Sequence, residues 1–140
     1  METKNIAPGV RLCCHKTSQF KTSVVSLNLI TPLDNKAGEK ALLIHLLART
    51  NKDCPTLTLM NRKLASLYGA VISPNSIRLG EAQVLSLSLV SIDERFSLKG
   101  ESILEDGIKF LMNCLFTPDI TPEGFKKENV DREKRLLSEK

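Results

Sequence analysis

Apolar and polar positions change period several times along the chain, and each change marks an element. Val10, Leu12 and Cys14 share one face of a short strand over Gly9 to Lys16. Phe20 to Thr31 is a second strand, because Val25, Leu27 and Leu29 alternate with Ser26 and Asn28. Pro32, Asp34, Asn35 and Gly38 break this pattern. From Ala37 to about Thr50 the residues Ala41, Leu42, Leu43, Ile44, Leu46, Leu47 and Ala48 predict a helix apolar nearly all round, hence buried on most sides. Asn51 to Pro55 is a loop. Thr56 caps a second helix with Met60, Leu64, Leu67 and Tyr68 at i, i+4, i+7 and i+8, and Gly69 takes the left-handed position after it.

Ala70 to Leu79 and Ala82 to Ile92 read as paired strands around Gly80-Glu81, with Leu85, Leu87 and Leu89 alternating with serines. A third helix runs from about Glu101 to Phe116. Its expected buried stripe is Leu104, Ile108, Leu111 and Leu115, and Gly107 weakens it. Pro118 stops it. Thr121-Pro122 then offers an N-cap and a first-turn proline for a last helix running to the chain end. Phe125, Val130, Leu136 and Leu137 are its apolar set, and the pairs Glu128–Arg132 and Asp131–Arg135 support it. The order β-β-α-α-β-β-α-α is an α+β pattern, an antiparallel sheet with helices packed on one face. A helix still running at Lys140 is what a fragment would show, so residues 1–140 are expected to be the amino-terminal part of one larger domain.

Composition narrows the chemistry. With 41% hydrophobic and 26% charged residues, the balance is that of a globular chain. Aromatics are few, with no Trp, one Tyr and five Phe, which disfavours a base-stacking surface. The net charge of +4 comes from cations interleaved with acids around residues 126–135, a solvated helix face rather than a phosphate-binding stripe. No nucleic-acid partner is expected. The start Met1-Glu2-Thr3-Lys4-Asn5 has no apolar run behind it, and no stretch reaches the roughly 18 apolar residues of a membrane span. A cytoplasmic location with reduced thiols at Cys13, Cys14, Cys54 and Cys114 follows as the expectation.

No nucleophile–histidine triad and no glycine-rich phosphate loop is recognisable. In Cys13-Cys14-His15 neighbouring side chains point to opposite faces of a strand, so only Cys13 and His15 share one, too few for a closed metal site. Cys54, in a loop, and Cys114, on an apolar helix face, read as structural.

The succession of features resembles the amino-terminal domain of the pitrilysin/insulinase zinc peptidases, which carry the inverted motif H-x-x-E-H. The strand Phe20 to Leu27 leads into the helix Ala41-Leu42-Leu43-Ile44-His45-Leu46-Leu47, where the family places its motif. After a Pro-containing loop, Leu64-Ala65-Ser66-Leu67-Tyr68-Gly69-Ala70 matches the family's helix ending before a strand. Two strands, a helix closing with Leu115-Phe116-Thr117-Pro118 and a charged helix from Phe125 follow. The resemblance spans nearly the whole chain and is nearest to a bacterial subgroup of paired proteins, one of which lacks the motif.

In that motif two histidines one helical turn apart bind zinc, the glutamate activates a water, and a downstream glutamate completes the ligands. Laid on this chain, His45 matches the second histidine, while Ala41 replaces the first and Ile44 the catalytic glutamate. Glu128, Glu133 and Glu139 are the candidates for the downstream acid. A methyl cannot ligate and an alkyl group cannot act as base. The resemblance therefore implies a protein with no catalytic residue and no cofactor, in which His45 is a core or interface residue. Its expected role is a non-catalytic partner or chamber wall for a competent homologous subunit or for its own second domain, with peptide as the shared substrate. The alternative is part of an active zinc endopeptidase whose metal site lies in another domain or chain.

Overall fold

The computed structural model of the protein describes residues 1–139. Its elements are β1 (Glu2–Ala7), β2 (Val10–Cys14), β3 (Thr22–Pro32), α1 (Ala37–Leu47), α2 (Leu57–Ser66), β4 (Val71–Leu79), β5 (Ala82–Ile92), a single 3-10 turn at Glu94–Phe96, α3 (Ile103–Phe116) and α4 (Lys127–Ser138). The α+β class and the expected succession are found. One further strand, β1, precedes them and pairs antiparallel with β2 in a two-stranded hairpin turned at Gly9 (φ 75°). Every residue of both strands is exposed.

The main sheet has the order β3-β5-β4 and is antiparallel throughout. Val25, Leu27 and Leu29 lie opposite Leu89, Leu87 and Leu85, and Ile72 lies opposite Leu89. This inner face carries the helices, with α1 over β4 and β5 and α3 over β5 and β3. Leu87 and Leu89 are 1% exposed, and they join Ile44, Met60, Phe110 and Leu111 in one core. Full burial of such a side chain is worth roughly 1.5–3 kcal/mol. The outer face is polar in its middle, where the Ser26 and Ser88 hydroxyls lie 3.0 Å apart and Ser86 donates to Asn28 at 2.7 Å.

The two outer strands are unlike. In β3 the odd residues bond to β5, since Asp93 N–H donates to Lys21 C=O (2.8 Å) and Leu33 N–H to Glu81 C=O (2.9 Å) at its two ends. Continuing the alternation across β5, the even residues of β4 turn their backbone outward. Pro74 occupies one of these, the position on an outer strand that tolerates a missing N–H.

Three sequence expectations are corrected here. The last helix starts at Lys127, not at Thr121-Pro122. The Thr121 hydroxyl closes a tight turn instead, accepting from Glu123 N–H (3.3 Å) and donating to Gly124 C=O (3.1 Å), while the two backbones bond reciprocally. The buried stripe of α3 is Ile103, Gly107, Phe110, Leu111 and Cys114, so of the expected set only Leu111 is fully buried and Ile108 is exposed. Gly107 is the reason. A Cβ there would stand 2.8 Å from Leu89 Cδ2, so its absence lets α3 settle on the sheet along that edge. Finally, α1 ends at Leu47, three residues short of Thr50.

Thr56 caps α2 as its sequence suggests, accepting from Leu59 N–H at 3.2 Å. Gly69 is left-handed (φ 75°), and so is Tyr68 (φ 59°), whose hydroxyl donates to Glu101 Oε2 at 2.8 Å.

Candidate functional site

Helix α1 presents the motif positions, and its start is fixed by its approach. Asp34 Oδ1 accepts from Lys36 N–H (2.9 Å), its other oxygen pairs with Lys40 (3.1 Å), and Gln83 Nε2 donates to Ala37 C=O (2.9 Å). Residues 41, 44, 45 and 48 then fall on adjoining positions of one helix side. Ile44 is 2% exposed and packs into the core, and Ala41 is half-buried. His45 is half-buried, with Nδ1 2.8 Å from Ala41 C=O. A carbonyl can only accept, so Nδ1 carries the proton and Nε2 is left as the acceptor. That is the tautomer a ligating histidine adopts, but its helical neighbours here are a methyl and a buried alkyl group.

The downstream acids divide sharply. Glu128 and Glu139 are exposed. Glu133 is buried, and its carboxylate meets Arg49 Nη1 at 2.5 Å, binding α4 to the residues just after α1. The acid that α4 delivers inward is thus matched to a guanidinium. Among the described residues, no three His, Cys, Asp or Glu side chains gather where they could hold one metal ion. The residues at these positions do not form the three-ligand set that zinc hydrolysis requires.

The remaining candidates are scattered. Cys13 and Cys14 lie exposed in the hairpin with His15 beside them. Cys54 and Cys114 are buried around Asn51, whose amide donates to Cys114 Sγ (3.5 Å) and accepts from Cys54 N–H (2.8 Å). Burial pushes the Cys114 thiol up to about 11, against the opposing Asn51 hydrogen bond, and burial raises Cys54 as well. Neither is an activated nucleophile.

Sequence reasoning missed the Arg49–Glu133 pair and a cleft of about 410 Å³ between α2, α3 and the 51–54 loop, lined by Asn51, Asp53, Cys54, Lys63, Asp106, Lys109, Phe110 and Asn113. Its four charges alternate in sign and no histidine reaches it. Nothing in the sequence marked it, since Asn51 stands there among Arg49, Thr50, Lys52 and Asp53 and meets Met60 and Cys114 only in the fold. Among the described residues no helix is long and apolar enough to cross a membrane.

No family model matches the sequence. The chain is 29% identical over 140 residues to "Probable inactive metalloprotease YmfF" of Bacillus subtilis (strain 168), covering 99% of this chain. It spans about a third (33%) of that protein's length. A solved structure, "Crystal structure of a conserved protein from Enterococcus faecalis V583", shares the fold, with a TM-score of 0.81 and 24% identity over 88% of this chain and 29% of its own. The chain is therefore related to a metallopeptidase-like protein that is itself named as inactive.

Proposed function

We propose that this chain is a zinc-free domain of the pitrilysin/insulinase type that serves as a binding partner rather than a catalyst. The observation that carries the reading is the motif turn of α1. Ile44 stands where the general base would be and is 2% exposed within the core, and Ala41 stands where the first ligand would be. Restoring a carboxylate at position 44 would bury a charge among leucines. The degenerate turn is thus integrated into the fold's packing. The name carried by the Bacillus relative supports the same reading.

In this role the helical layer and sheet supply wall and docking surface to a homologous peptidase-like subunit or a second domain, and peptide substrate belongs to the assembly. The test is elemental analysis of the purified protein, paired with a peptidase assay in the presence and absence of a chelator. Zinc well below one equivalent and no chelator-sensitive cleavage are expected. Stoichiometric zinc that His45→Leu abolishes, together with cleavage, would overturn the reading.

A further inference from the structure

The residues that α1 and α4 bring to their seam disagree with a metal set by more than two missing ligands. Past Leu47 the backbone stays helical at Ala48 (φ −76°, ψ −15°), and Arg49 N–H donates to Leu46 C=O at 3.1 Å. Positions 41, 45 and 49 therefore follow one another a turn apart on one side. Ala41 and His45 come first, both half-buried, and Arg49 ends the row with a guanidinium.

Helix α4 packs against α1 and answers this row with an acid. Glu133 is the one residue of α4 that is fully buried. The helix's own apolar residues are less so, since Val130 and Leu137 are half-buried and Leu136 is exposed. The carboxylate thus goes deeper than the alkyl groups beside it. A buried carboxylate demands a partner of opposite charge, because its lost hydration is otherwise uncompensated. Arg49 Nη1 is that partner, at 2.5 Å from Glu133 Oε1. A guanidinium does not deprotonate, and this one is tied to the chain, so the charge is permanent.

We infer that Arg49 is a built-in cation that takes the place of a metal ion at the α1–α4 seam. Its charge lets Glu133 turn inward and hold α4 against α1, and the same charge keeps a metal cation out. An ion approaching the open Nε2 of His45 would meet a fixed positive group one turn away and an acid already engaged. Arg49 is a positioning residue here, and it explains how the two helices stay joined where no ion joins them. The inference rests on reading α1 as a degenerate motif turn, and adds what replaced the lost ion.

Zinc titration by calorimetry, with thermal melts beside it, tests this. Every protein carries Cys13→Ser and Cys14→Ser, because exposed thiols compete for zinc. Ala41→His puts a second imidazole one turn before His45 and, with Arg49 retained, should bind zinc weakly. Adding Arg49→Met should tighten zinc roughly tenfold or more, the size of a like-charge repulsion over a few ångströms in water. Adding Glu133→Gln to that variant should abolish the gain, and Arg49→Lys in place of Arg49→Met should not produce it. In the Arg49→Met variant zinc should also raise Tm. Arg49→Gln, neutral but able to donate to the carboxylate, serves if the methionine variant does not fold. Equal zinc affinity with and without Arg49 overturns the inference, as does a gain that survives Glu133→Gln or appears equally with Arg49→Lys. Stoichiometric zinc in the protein with His45, Ala41 and Arg49 unchanged would instead sink the zinc-free reading itself.

Discussion

Glu133 of α4 and Arg49, just past the end of α1, meet at 2.5 Å with their side chains only 5% and 18% exposed. Both groups are thus largely withdrawn from water where α4 meets the segment after α1. Removing one partner leaves the other charge poorly solvated, whereas replacing both with apolar groups of similar volume does not. Glu133→Ala should therefore destabilise by about 2–4 kcal/mol, and Arg49→Met with Glu133→Leu should recover most of it. Urea unfolding of the two singles and the double variant gives the coupling. Equal losses in the double and the Glu133 variant would refute the account.

Gly107 inverts the usual helix rule. Glycine to alanine in a helix interior ordinarily stabilises by about 1 kcal/mol. Here the new Cβ would stand 2.8 Å from Leu89 Cδ2, and Leu89 is itself packed in the core. Gly107→Ala should gain nothing or lose stability, and Gly107→Val should lose about 1–3 kcal/mol by overpacking. Thermal melts of the two variants read this directly.

How legible was this in the sequence? Leu85, Leu87 and Leu89 announced their strand because a sheet with one covered face writes a period of two into its residues. Gly69 announced the end of α2 because only a left-handed residue closes that turn cheaply. β1 went unread because Glu2-Thr3-Lys4-Asn5-Ile6-Ala7 carries no apolar alternation, unlike Val10, Leu12 and Cys14 in its partner strand, and Glu2 and Lys4 look like a solvated terminus. Thr121-Pro122 satisfied the rule for a helix start, but the same hydroxyl can close a turn, and Gly124 at φ 110° decided for the turn. At the site, the loss of ligands at positions 41 and 44 was visible residue by residue. The fate of Glu133 was not, since its partner lies 84 residues away and nothing local distinguishes it from Glu128.

His45 should be dispensable to metal content. Among the described residues its hydrogen bond, Nδ1 to Ala41 C=O, is local to α1. His45→Leu is expected to change stability by no more than about 1 kcal/mol and to leave zinc content unchanged. Elemental analysis beside a thermal melt checks both; a drop in zinc would restore a ligand role.

The four thiols should separate into two classes. Cys13 and Cys14 are exposed and should alkylate readily in the native protein at pH 8. Cys54 and Cys114 are buried and their thiols are raised, Cys114 to about 11, so both should react only after unfolding. Peptide mass mapping with iodoacetamide, before and after urea, distinguishes them.

Acid should weaken the fold through three surface carboxylates. Asp34 is held below its ordinary 3.8 by the Lys36 N–H and Lys40, Asp93 by the Arg95 N–H and side chain, and Glu101 below 4.5 by the Tyr68 hydroxyl. A folded value below the unfolded one means stability that is fully present above the unfolded value and lost as pH falls through the folded one. Urea midpoints should be flat near pH 6 and decline from about pH 4.5 downward. Asp93→Asn should flatten part of that decline, and an unchanged slope would remove Asp93 from the account.

Pro74 decides what kind of aggregate this sheet can make. A fibre needs two growing ends, and a sheet that can add strands at either margin is a polymer in waiting. With an imide nitrogen at residue 74, the β4 margin offers an interrupted row of donors to any strand laid along it. Extension of the sheet on that side is disfavoured by a single ring that donates nothing.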